Sequence, residues 1–103
     1  MTNPTRDRDR LLALAAEGSD IPYTELFDAA AVITGLPRDS TVLTEAMCAL
    51  CDAVVAGNRL AEDPSFAAAV LDDGVRRPDP VAAAVAKLDR EAADALSRLG
   101  VAP

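Results

Sequence analysis

Apolar positions recur every three to four residues along most of the chain, broken by short clusters of Gly, Pro, Asp, Ser and Asn. That period predicts helices, and the clusters predict their ends. A first helix takes Asn3 or Thr5 as its cap, has Pro4 at its opening and closes at Gly18. Leu11, Leu12 and Leu14 lead its apolar side, behind an alternating charged run from Arg6 to Arg10 that reads as a solvated face. Asp7 and Arg10, three apart, pair for about 0.2–0.5 kcal/mol. A second helix follows Ser19 or Asp20, with Pro22 in its first turn. Its apolar face begins at Tyr23 and continues through Leu26, Phe27, Ala30 and Ile33. Gly35-Leu36-Pro37 ends it. Glycine supplies the left-handed cap, leucine folds back on the last turn, and proline forbids continuation.

Asp39, Ser40 or Thr41 caps a third helix that runs to Gly57-Asn58. Val42, Leu43, Ala46, Met47, Leu50, Cys51, Val54 and Val55 cover most of its circumference, which predicts a central helix packed on more than one side. A connector over 59–62 leads to Asp63-Pro64. Asp as cap and Pro at the first helical position open a short fourth helix through Phe66, Val70 and Leu71, ending near Gly74. Residues 76–80 read as a linker, and Asp79-Pro80 repeats the start signal for a last helix over 80–99. There Val81, Val85, Leu88, Ala92, Ala95 and Leu99 are spaced four, three, four, three and four, a heptad seam, and Gly100 ends it. Lys87 with Glu91, Arg90 with Asp94, and Asp94 with Arg98 form four-apart charge pairs outside the seam. No segment combines alternation with β-branched or aromatic enrichment. The predicted fold is all-α: a single domain over 1–103, a compact bundle or orthogonal array of about five helices without a sheet.

Composition sharpens this. A length of 103 residues suits one domain. Half the residues are hydrophobic but only 3% are aromatic, so the core must come from Ala, Leu and Val, whose small side chains let helices approach closely. A net charge of −7 with no histidine repels phosphate backbones and anionic headgroups, and favours basic partners if it favours any. No apolar run approaches the roughly 20 residues of a membrane span, and the N-terminal residues do not read as a signal peptide. Two cysteines make no disulfide framework, so the expected setting is cytoplasmic.

The candidate chemistry is thin. Cys48-Ala49-Leu50-Cys51 lies inside the third helix, away from the N-terminus where a thiol is activated, and reads as core packing. Zinc would find only Glu45 and Asp52 nearby, with no imidazole. Carboxylates fall at caps and on exposed faces, no histidine can activate a hydroxyl, and no glycine-rich phosphate loop occurs, the glycines reading as helix ends. No catalysis, cofactor, metal or small-molecule substrate is expected. Residues 24–50 are similar to a helix-turn-helix, with Ala31 four before Gly35, yet the second helix would present Asp39, Thr41, Thr44 and Glu45 and the domain lacks a basic face. A DNA-binding regulator is therefore the weakest reading. Association remains: a protein–protein interaction or assembly module, an adaptor or accessory subunit, binding a partner or itself through the seam from Val81 to Leu99. The alternative is an acidic antitoxin-like or inhibitor protein that masks a basic partner. The seam can equally serve the chain's own core.

Overall fold

The computed structural model describes residues 4–18, 20–71 and 78–101. In order come α1 (Pro4–Glu17), α2 (Tyr23–Thr34), α3 (Thr41–Glu62), a 3₁₀ turn (Pro64–Phe66) running into α4 (Ala67–Leu71), and α5 (Pro80–Arg98). Among the described residues there is no strand. The fold is all-α, as the apolar period requires.

The predicted stops and starts act through identifiable hydrogen bonds. Of the three cap candidates for α3, Ser40 is used: its Oγ accepts the Leu43 N–H at 3.4 Å. Both Asp-Pro starts work alike. Asp63 Oδ1 accepts the Ser65 N–H at 3.1 Å, and Asp79 Oδ1 accepts the Ala82 N–H at 3.1 Å. Each satisfies an N–H that the first turn would leave bare. Gly35 takes φ +76° and donates to Ala31 O at 2.8 Å, while Leu36 folds back against the core. At the end of α5, Gly100 (φ +78°) donates to Ser97 O and Val101 donates to Leu96 O at 2.9 Å. That pair of bonds closes a Schellman turn, with Val101 and Leu96 both buried in the same cluster.

Several boundaries differ from the sequence reading. Pro22 stands before α2, extended at φ −60° and ψ 144°, and no side chain caps that helix, so Asp20 does not act as a cap. Thr5 lies within α1, whose first helical residue is Pro4; Asn3, Ser19 and the expected end near Gly74 lie outside the described residues. The largest correction concerns α3, which continues through Gly57-Asn58 to Glu62. A glycine inside a helix costs about 1 kcal/mol. Continuing the helix places Leu60 in the core, and burying a leucine contributes about 1.5–3 kcal/mol. Burial wins.

The core has two clusters. The larger joins Leu11 and Ala15 of α1, Leu26 and Ala30 of α2, Leu43, Ala46, Met47 and Leu50 of α3, and Ala95, Leu96 and Leu99 at the end of α5. The smaller joins Ala53 and Leu60 of α3, Ala67 of α4, and Ala84 and Leu88 of α5. The first half of α3 thus meets the second half of α5, and the reverse holds at the other end, so the two helices run antiparallel. At about 1.5 Å per residue α3 is about 33 Å long and spans both clusters. The protein is accordingly elongated, 44 × 26 × 22 Å.

By length and composition α3 could cross a membrane: it has 22 residues, with a mean hydropathy of 1.2 over its best window. That corrects the expectation that no stretch would qualify. A central core helix needs the same composition, and here Leu43, Ala46, Met47 and Leu50 are covered by α1, α2 and α5.

Candidate functional site

The seam of α5 divides along its length. Leu88, Ala95 and Leu99 are buried in the chain's own core and Ala92 is half-buried against it. Val81 and Val85 point outward, 36% and 44% exposed. At this end the buried stripe runs through Ala84 and Leu88 rather than through Val85. Two contacts explain the rotation. Ala84, fully buried, packs into the cluster with Ala67, Leu60 and Leu88. Lys87 Nζ donates to Val70 O at 2.7 Å, satisfying a carbonyl in the last turn of α4. Lys87 also stands 4.0 Å from Glu91, and Arg98 3.9 Å from Asp94, as two of the three predicted charge pairs. The role of Lys87 on α4 has no signal in the sequence, because the partner is a backbone oxygen seventeen residues away.

Turning outward, Val85 lines an open groove of about 580 Å³ between α1, α3 and α5, with Leu12, Val54 and Gly57. A Cβ added at Gly57 would meet nothing within 4 Å, so this stretch of α3 lies bare. Arg8 and Asp89 stand at the groove's edges.

A different surface gathers the aromatic residues. None is buried. Tyr23, expected on the packed face of α2, is 71% exposed, while Phe27 and Phe66 are half-buried. Tyr23 and Phe27, four apart on α2, stack with ring centroids 6.4 Å apart. Arg38 lies over Phe27 at 5.2 Å and donates to Asp28 at 2.7 Å. Arg59 lies over Phe66 at 4.4 Å. Tyr23 and Phe66 then line one groove of about 230 Å³, together with Gly18, Cys51, Val55 and Arg59. The result is a strip running from Arg38 through Phe27 and Tyr23, across the groove, to Phe66 and Arg59. Gly18 belongs here for its size, since a Cβ would sit 3.4 Å from Cys51 Sγ and 3.1 Å from Ala15 O. Asp63 holds the far end of the strip. Hydrogen bonds from the Ser65 hydroxyl and N–H, and then the Arg59 charge, keep its carboxyl below the ordinary range.

The cysteines are not both core residues, as the sequence suggested. Cys48 is exposed and Cys51 is half-buried at the groove floor. Burial pushes the Cys51 thiol up, and the neighbouring Cys48 and Asp52 add to this. A thiol shifted this way is a poor nucleophile. Among the described residues no group of three or more Cys, Asp or Glu side chains is placed to hold a metal ion. Comparison with protein-family models, curated proteins and solved structures gives no match.

Proposed function

We propose that this chain is a small acidic module that works by contact with another protein, as an adaptor or assembly subunit, and not by catalysis. The observation that supports it is where the aromatic residues lie. The fully buried core is made of Ala, Leu, Met and Val, while Tyr23 is exposed and Phe27 and Phe66 sit half-buried at its edge, packed against the two clusters and lying under arginines. An aromatic ring buries about 150–250 Å² and would strengthen so small a core. Burying none of the three rings fully forgoes part of that gain. Tyr, Phe and Arg are the residues enriched where proteins meet.

The charge of −7 favours a protein partner over nucleic acid or an anionic membrane. With no histidine in the chain, and with the described carboxylates other than Asp7 exposed, contact is the simpler mode of action than acid–base chemistry. A reducing, cytoplasmic setting suits a protein with no disulfide framework.

The test compares complexes crosslinked in the native host around the tagged wild type, Tyr23→Ser and Val85→Glu. Both substitutions fall on exposed side chains, so helicity should be unchanged by circular dichroism. A partner held by the wild type and by Val85→Glu but lost with Tyr23→Ser is expected. Loss with Val85→Glu alone would move the site to α5. Identical recoveries from all three, with a monomer in light scattering at every concentration, would overturn the reading.

A further inference from the structure

We infer that the groove between Tyr23 and Phe66 receives a segment of a basic partner protein, one presenting an aliphatic or aromatic anchor flanked by lysine or arginine. This rests on the interaction reading above and names the chemistry of the same surface.

The groove's size comes first. At about 230 Å³ it falls below the roughly 300–1,000 Å³ typical of cofactor and small-molecule sites, and suits one or two side chains. Its apolar parts are Ala15, Val55 and Ala56, walled by the two rings. Val55 is 46% exposed, so this apolar surface is open to an anchor from outside.

The charge around it decides what flanks the anchor. Asp52 lines the groove. Glu17 and Asp20, both exposed, stand beside Gly18 along the chain. Gly18 follows the C-terminal end of α1, where carbonyl groups leave partial negative charge and no basic residue occupies the last turn. Among the described residues of the lining the cation is Arg59, which lies over Phe66 at 4.4 Å, and it is outnumbered by Asp52, Glu17 and Asp20. The rim is therefore acidic. The exposed face of Tyr23 offers a cation a further site, because an ammonium or guanidinium is attracted to the ring's negative face. A second copy of this chain is a poor occupant, since two bodies of charge −7 repel and the basic run Arg6, Arg8, Arg10 is interleaved with Asp7 and Asp9.

The experiment selects from a random dodecapeptide display library on the wild-type protein, with counter-selection on Val55→Gln. That variant is neutral, so it removes the apolar wall without biasing the selection by charge. Retained peptides should carry an excess of Lys and Arg within a few residues of a Leu, Ile or Phe. Their affinity should fall about tenfold or more with Tyr23→Ser, about three- to fivefold with Asp52→Asn, and progressively with added salt. Groove-dependent peptides without a basic excess, or rich in Asp and Glu, would overturn the inference. So would a selection in which no binder distinguishes wild type from Val55→Gln. If the selection fails while Tyr23→Ser still strips a partner in the cell, the interaction reading stands and the basic-segment inference falls. If Tyr23→Ser changes neither while Val85→Glu strips the partner, only the groove inference falls; if both variants recover what the wild type does, both fall.

Discussion

The two core clusters stabilise the protein in different ways. In the larger one Leu11, Leu26, Leu43, Met47, Leu50 and Leu96 are fully buried, drawn from α1, α2, α3 and α5. Its stability comes from large apolar side chains removed from water. In the smaller one three of the five buried residues are alanines, Ala53, Ala67 and Ala84. There the helices meet closely, and little apolar bulk holds a short α4 that Lys87 ties down by a backbone hydrogen bond. The first cluster depends on filling space, the second on not filling it. The aromatic groove lies along α3 beside the second cluster, with Phe66 belonging to both.

That contrast can be broken from either side. Leu50→Ala removes a fully buried side chain from the larger cluster, and should cost about 2–5 kcal/mol in urea unfolding. Ala84→Leu, at a fully buried position in the smaller cluster, should cost about 1–3 kcal/mol by overpacking. Its mark should be local, with α4 amides losing hydrogen-exchange protection before those of α2. Equal losses across both helices would show that the clusters act as one. The smallest effect has the opposite sign. Gly57→Ala adds a methyl to a helical residue with open space around it, and should stabilise by about 0.5–1 kcal/mol, seen as a raised melting temperature. A loss instead would mean that the groove above Gly57 is filled.

Much of the fold was legible because local signals have local causes. Gly35-Leu36-Pro37, Asp63-Pro64 and Asp79-Pro80 act within a turn of themselves, and each behaves as its residues predict. The central place of α3 was legible as well, since an apolar surface wider than one stripe demands neighbours on several sides. Gly57-Asn58 misled because a stop signal in the sequence is only a cost of about 1 kcal/mol, and Leu60 three residues on repays it by burial. Cys48 misled because an apolar neighbourhood in sequence does not say which side of the helix faces the core.

The sequence by itself determined helices, their caps and the need for an Ala/Leu core, because hydrogen bonding at helix ends and the 3.6-residue period are properties of a few adjacent residues. Only the tertiary structure decided the rotation of α5, which buries Ala84 and leaves Val81 and Val85 outside, and the meeting of Tyr23 with Phe66 across α3. Both depend on which helix lies alongside which, and at what distance. That is fixed by packing between residues far apart in the chain, and periodicity along one helix carries no record of it.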